Sequence, residues 1–220
     1  MSTELKKRIL TSILLISLLS AMYFYAFVMI ISLIVIAMIV WIEFYALISK
    51  IIPDNKFNDK FFRFLYKTLS LLYLSMLVYF IFLIESHYMS LKLFLLYSVL
   101  VAILYDIGGL VFGKIFKGKK LTKISPNKTI SGSIGSFIFS LALIPFFYEE
   151  FFKHDFFILV IITITISLIS QLGDLFISYL KRKANVKNTS DILPGHGGFL
   201  DRVDGIIFAI PIGIILLNLL

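Results

Sequence analysis

Apolar residues run along this chain in long blocks, not in the spaced stripes of a water-soluble helix. The first block fills 9–48, behind a charged opening of Lys6, Lys7 and Arg8. A helix crosses a bilayer core with roughly 20 residues, so a block of that length predicts two spans, divided near Tyr25. Further apolar segments at about 65–84, 91–112, 132–148, 156–178 and 203–220 bring the expectation to about seven transmembrane helices. The short connections between the first two spans, and between the third and fourth, leave room for a re-entrant segment. The opening imitates a signal peptide, but no clear small-residue cleavage site follows and another apolar segment comes at once, which predicts an uncleaved first helix. The fold class expected is all-α: one integral membrane domain over 1–220, with no visible repeat, low-complexity tail or second soluble domain.

Composition agrees with this picture. Of 220 residues 60% are hydrophobic, well above the roughly 45–50% apolar content of soluble domains, and the mean hydropathy is +0.99. The absence of cysteine excludes a disulfide framework, a thiolate metal site and a cysteine nucleophile. A net charge of +8 raises the question of nucleic acid, but the distribution answers it: of 21 Lys and Arg, all except Lys92 and Lys153 fall in alternate connections on one side. This bias places the amino terminus, the loops at 50–64 and 113–131 and the segment 178–204 in the cytoplasm, with the carboxyl terminus outside. The charge is then topological, with attraction to anionic lipid headgroups as its further role and no nucleic-acid partner.

Polar residues inside the apolar blocks are the next clue. Glu43, near the cytoplasmic end of the second span, either snorkels or bonds to a neighbouring helix, or else serves function. The turn around Pro53, Asp54, Asn55, Asn58 and Asp59 leads into Lys56, Phe57, Lys60, Phe61, Phe62, Arg63 and Phe64, a composition suited to a short interfacial helix. Asp106 stands in a span with Gly108, Gly109 and Gly113, which permit close helix approach; it is a functional candidate or a helix–helix hydrogen-bonding group. The loop 114–129 ends in Ser125, Pro126, Asn127, Lys128 and Thr129, in itself an ordinary basic loop with an N-cap, though an ammonium, hydroxyls and free N–H groups before a helix also hold phosphate. Along the sixth span Thr163, Ser167, Ser170, Gln171, Asp174, Ser178 and Lys181 form a polar stripe, whose cytoplasmic end suits a water-filled cavity. His87, Glu149, Glu150 and His154 read as solvated residues, without convincing zinc spacing.

The segment 174–204 concentrates the chemistry. A helical pitch puts Asp174, Ser178 and Lys181 on one face with Arg182 beside them; Pro194 and Gly195 break the chain, Gly197 and Gly198 follow, and a restarting helix carries Asp201 and Asp204 in its first turn. Three acids in a bilayer are costly alone, but around a divalent cation, with Lys181, Arg182 and Arg202 nearby, they make a site for a polyphosphate.

The pattern S-x-L-K-R from Ser178, Lys187 beyond it, then P-G-H-G-G-F-x-D-R-x-D from Pro194 to Asp204 resembles the signature of phosphatidate cytidylyltransferases. The resemblance implies transfer of the cytidylyl group of CTP to phosphatidate, giving CDP-diacylglycerol and pyrophosphate, at the cytoplasmic face of a bacterial-type inner membrane, with a homodimer as the suggested assembly. It implies Asp174 and Asp201 as Mg2+ ligands with Asp204 as a third candidate and a second cation left open, and Lys128, Lys181, Arg182 and Arg202 on phosphate groups. His196 is either a phosphate donor or proton carrier, or a holder of the loop whose Gly195, Gly197 and Gly198 let backbone approach phosphate. The family's S-P-x-K-T motif turns Ser125, Lys128 and Thr129 toward substrate, and an Asp opening a comparable motif does the same for Asp106; Ser178 joins them. Since phosphatidate is already anionic, positioning and charge neutralisation dominate the implied mechanism.

The chain also departs from that pattern. Gly109 and Leu110 stand where Ala-Tyr is common, Ile130 and Ser131 where Trp-Glu precedes the glycine matched by Gly132, Ile177 where a Glu is expected and Asn188 where an Asp is common. Asn188 keeps an oxygen ligand and Ile177 does not, with Asp191 as a conceivable substitute. A CTP-dependent enzyme acting on an isoprenoid lipid, and a noncatalytic transporter using Asp106 and Asp174, are the alternatives.

Overall fold

A computed structural model describes residues 3–54, 56–122, 124–126, 128–149 and 155–219. Asn55, Asn127, Glu150, Lys153 and His154, named above, lie outside the described residues, as do the side chains of Arg8 and His87. Among the described residues the chain forms nine helical segments, α1 (Thr3–Phe24), α2 (Ala26–Ile51), α3 (Phe57–His87), α4 (Met89–Phe116), α5 (Ile130–Leu141), α6 (Ile144–Phe147), α7 (Phe156–Lys183), α8 (Leu200–Val203) and α9 (Ile206–Asn218). The only β-type pairing among them is two isolated bridges, Lys120 with Thr129 and Leu193 with Gly197. Among the described residues five stretches are long and apolar enough to cross a membrane: Ala26–Ile51, Phe57–Ser86, Leu91–Phe116, Ile130–Phe147 and Phe156–Lys183. The apolar part of α1, Ile9–Phe24, and the 13-residue α9 are shorter. The fold is therefore all-α and membrane-spanning in type.

The chain divides into two compact units, Met1–His87 with Leu180–Val203, and Tyr88–Tyr179 with Asp204–Leu220. In the first, α2 packs with α1, α3 and α8. Its buried face, Val40, Glu43 and Leu47, follows helical spacing, and α3 answers with buried Leu74, Leu77, Ile81 and Ile84 at the same period. In lipid such faces associate by close packing, since the tails are as apolar as the side chains. The division expected near Tyr25 is where α1 ends and Tyr25 caps α2 in an extended conformation.

In the second unit α4 packs with α5 and α9, around a core that includes Tyr97, Val101, Leu159, Ile166 and Ala209. Glycines set the α4–α5 spacing: a Cβ on Gly108 would sit 2.6 Å from the carbonyl oxygen of Gly135, and one on Gly109 would sit 2.8 Å from Ser136 Oγ. The close approach expected from Gly108 and Gly109 is thus real, and α5 supplies its other half.

Three boundaries differ from expectation. The interfacial helix expected around 56–64 is the opening of α3, because no Gly or Pro interrupts 57–87. The span expected at 132–148 breaks after Leu141, where Pro145 lacks the N–H that would bond the Leu141 carbonyl. The restart near Asp201 occurs, but α8 ends at Val203: Asp204 Oδ1 accepts the N–H of Gly205 at 2.9 Å, a group that an unbroken helix would direct to the Asp201 carbonyl.

Candidate functional site

In the first unit the loop after α7 is shaped by its own sequence. Leu193, Pro194, Gly195 and His196 form a tight turn closed by His196 N–H to Leu193 O at 2.9 Å, with Gly195 at φ +74° where a type II turn after proline requires a residue without Cβ. Gly197, at φ +84°, accepts the Leu193 N–H on its carbonyl oxygen at 2.8 Å. Arg202 then grips the loop from α8, its Nε and Nη2 donating to His196 O at 3.1 and 2.7 Å. Thr11 of α1 reaches Pro194 O at 3.0 Å, and Ser12 Oγ lies 3.4 Å from His196 Nε2. His196 Nδ1 is buried without a partner among the described residues.

Two carboxylates organise this loop. Glu43, 3% exposed, accepts from Ser190 Oγ at 2.6 Å and Phe199 N at 3.1 Å on Oε1, and from Leu200 N at 2.8 Å on Oε2. Asp201 accepts from Lys181 Nζ at 2.5 Å on Oδ1, and from Thr189 N and Gly198 N at 2.9 and 3.0 Å on Oδ2. The Thr189 hydroxyl stands 2.7 Å from Glu43 Oε2 and 3.0 Å from Asp201 Oδ2, so its single proton serves one of the two acids at a time. Burial works against the Asp201 charge, but the Lys181 hydrogen bond and the N–H groups of Gly198 and Thr189 hold its carboxyl below the ordinary range. Gly198 has no room for a side chain: a Cβ there would collide with Thr189 Oγ1 and the Glu43 carboxylate.

The second unit builds another lysine–aspartate pair. Lys128 Nζ donates to Asp174 Oδ2, and Ser178 Oγ donates to Asp174 Oδ1 at 3.2 Å. Burial works against the Lys128 ammonium, yet Asp174, Tyr105 and Asp106 raise its pKa above the ordinary lysine value. The loop that delivers Lys128 is pinned at its base by Leu121 N–H to Lys128 O at 2.8 Å and Ile130 N–H to Lys119 O at 3.0 Å, and Ser125 O accepts the Lys128 N–H at 3.1 Å. Thr129 is the N-cap of α5, its Oγ1 accepting from Gly132 N at 3.0 Å.

The polar stripe of α7 is largely satisfied within this unit. Thr163 bonds Tyr97 at 2.5 Å, Ser140 donates to Ser167 at 3.2 Å, and Gln171 donates to Ser133 at 2.6 Å. Asp204 is 5% exposed, and Gly173 leaves space for its carbonyl, which a Cβ would meet at 2.7 Å.

The predicted residues therefore fall into two groups, with Asp174, Asp204, Lys128, Ser125, Thr129, Ser178 and Asp106 in the second unit and Lys181, Arg182, Asp201, Arg202, His196 and the three loop glycines in the first. Asp106 is exposed, as are Arg182, Asp191 and Asn188, whose side chain borders Gly197. Ile177 is 1% exposed, so an apolar residue fills its place. Among the described residues no group of three or more His, Cys, Asp or Glu side chains gathers as a metal ion would need. Glu43 is the organising residue that sequence reasoning left undecided; its signal was an acid in an apolar span, but its partners lie 146 to 157 positions away.

The sequence profile of the cytidylyltransferase family matches residues 1–220. The chain belongs to the cytidylyltransferase family. Its similar relatives within this family include the phosphatidate cytidylyltransferase of Staphylococcus haemolyticus (strain JCSC1435), 44% identical over 130 residues that make up 58% of this chain and 48% of the relative. The phosphatidate cytidylyltransferase of Rickettsia bellii (strain RML369-C) is 46% identical over 115 residues, 49% of this chain and 50% of the relative. The chain spans about half the length of these curated cytidylyltransferases, 48% and 50%.

Proposed function

We propose that this protein transfers the cytidylyl group of CTP to phosphatidate, forming CDP-diacylglycerol and releasing pyrophosphate, with segment 178–204 facing the cytoplasm of a bacterial-type inner membrane. The observation that carries the proposal is that both motifs of the resemblance deliver a lysine already neutralised by an aspartate, Lys128 with Asp174 and Lys181 with Asp201. Such pairs hold ammonium groups ready for phosphate without leaving an unbalanced charge in a poorly solvated place. When phosphates take up the lysines, the freed carboxylates are hard oxygen ligands suited in kind to Mg2+, with Asp204 beside Gly173 as a further donor in the second unit. Bound Mg2+ would neutralise charge on the transferring and leaving phosphates. Arg202 fixes the His196 carbonyl and hence the Pro194–Gly198 backbone, which favours a positioning role for Arg202. His196 Nδ1, which has no partner among the described residues, is the ring nitrogen that would meet a phosphate oxygen.

The test is Mg2+-dependent pyrophosphate release by the purified chain given CTP and phosphatidate, with an isoprenoid phosphate as parallel acceptor. The expected outcome is release with phosphatidate, reduced about 100-fold or more in Asp174→Asn and in Asp201→Asn, the scale of losing one electrostatic group at a reacting centre. Full turnover in both variants would reject the assignment of these carboxylates, and turnover with the isoprenoid acceptor alone would reject the substrate.

A further inference from the structure

On α2, Trp41 and Tyr45 stand two positions either side of Glu43, a rotation of about 200° at 100° per residue. The helix thus turns Glu43 to the loop 189–200 and presents the two aromatics to α3. Trp41 Nε1 donates to Lys67 O at 3.1 Å, and Lys67 Nζ rests 3.3 Å from the centre of the Tyr45 ring. Two clefts open between these helices. One, of about 420 Å3, is lined by Lys60, Arg63, Lys67, Asp54 and the faces of Trp41 and Tyr45. The other, of about 400 Å3, is lined by Ile34, Met38, Leu74, Val78 and Phe82. Trp41 and Leu71 line both, so a cationic mouth leads into an apolar groove.

The mouth is short of negative charge. It holds three cations against one carboxylate, Asp54, whose side chain is 62% exposed and whose contact with Arg63 is a loose 3.8 Å. Lys67 is only 8% exposed, yet its ammonium meets a ring face and no carboxylate among the described residues. A buried ammonium held by an aromatic face alone favours an anion beside it. The groove below runs along α3 from Leu71 to Phe82, about 17 Å at 1.5 Å per residue, comparable with half a bilayer core.

We propose that this cleft binds an anionic phospholipid, its phosphate taken by Lys67 with Lys60 and Arg63 and one acyl chain laid along the α2–α3 groove beneath Trp41. A phosphate-bearing lipid fits better than a free phosphate because the apolar groove opens directly from the cationic mouth. The site is an accessory one, on the face of α2 turned away from Glu43, and it does not rest on the cytidylyl-transfer reading.

The chain has one tryptophan, so its fluorescence reports on the wall common to both clefts. The full chain is placed in phosphatidylcholine nanodiscs doped with brominated phosphatidylglycerol or, at the same mole fraction, brominated phosphatidylcholine. Phosphatidylglycerol is expected to quench Trp41 more strongly, with apparent affinity falling roughly fivefold for each cation removed in Lys67→Gln and in the more exposed pair Lys60→Gln/Arg63→Gln. Removing the same charge elsewhere, in Lys119→Gln/Lys120→Gln, should leave the preference intact, and soluble glycerol phosphate should not compete. Equal quenching by the two lipids would overturn the proposal. So would a preference that survives Lys60→Gln/Arg63→Gln, one lost equally in Lys119→Gln/Lys120→Gln, or one abolished by glycerol phosphate.

Discussion

Asp201 in the first unit and Asp174 in the second each hold one lysine, in different surroundings. The side chains of Lys181 and Asp201 are 12% and 6% exposed, and Asp201 also gathers two backbone N–H groups. Those of Lys128 and Asp174 are 23% and 16% exposed, and the further bond to Asp174 comes from the Ser178 hydroxyl. The first pair is therefore part of what holds a loop in shape, whereas the second is a contact between a loop lysine and a helix aspartate that can be traded with less disturbance. One residue type, in one kind of pair, does two jobs according to how many backbone donors it also satisfies.

The sharpest way to break this contrast is to remove the acid behind the first pair. Glu43→Ala takes the acceptor from Ser190, Phe199 and Leu200 and leaves Thr189 to Asp201 alone. Each buried donor left unmet costs about 1–3 kcal/mol, so the summed loss is expected to reach about 3 kcal/mol even after relaxation. Glu43→Gln should fall between, because its amide would turn a donor toward donors. Thermal unfolding in detergent and amide exchange across 189–200 measure both; an unshifted transition with slow exchange in Glu43→Ala would show that other contacts hold the loop. Next in size, Asp201→Asn should destabilise by about 2 kcal/mol and Asp174→Asn by less than about 1 kcal/mol, following the difference between buried and more exposed ion pairs. Equal losses would erase the distinction.

The two pairs should also separate by pH. Asp201 has a lowered folded pKa, so its contribution is complete above the unfolded carboxylate value and is lost as pH falls through the folded one. Lys128 has a raised folded pKa, so its contribution is complete below the unfolded lysine value and is lost as pH rises through the folded one. Acid should therefore loosen 189–201 first, and alkali the loop around 119–130. Amide exchange against pH, with Asp201→Asn flattening the acid limb and Lys128→Gln the alkaline one, checks the assignment.

Much of this was legible in the chain. Apolar blocks located α2, α4 and α7 within a few residues, and the body of α3 though not its first turns, because a membrane span needs length and hydropathy and little else. The Pro194–Gly195 break and the crowding of α4 by glycines were legible for similarly local reasons. The helix ends were harder: nothing before Pro145 announces the break after Leu141, and the stop at Val203 depends on a carboxylate capturing its neighbour's N–H. Pairings were least legible. That Lys181 meets Asp201 and Lys128 meets Asp174 requires helices to be placed, and that Glu43 holds 189–200 joins segments about 150 residues apart.

The smallest effect expected tests whether a residue of the substrate motif acts through structure. Thr129 caps α5 through a single hydroxyl, and Thr-to-Ala changes at such caps cost about 1 kcal/mol. Thr129→Ala should therefore lower the unfolding transition slightly, and Thr129→Ser, which retains the oxygen, should restore it. The readout that separates the roles is the saturation curve for CTP. A hydroxyl that only caps the helix shifts stability in Thr129→Ala and leaves KM nearly unchanged, because Lys128 is still carried by the backbone bonds to Ser125 and Leu121. A hydroxyl that also meets phosphate raises KM in Thr129→Ala, and in that variant only, since serine supplies the same group. With its lone pair already facing the Gly132 N–H, the structure favours the first result, and the motif's resemblance to a phosphate loop would then rest on Lys128 in the second unit.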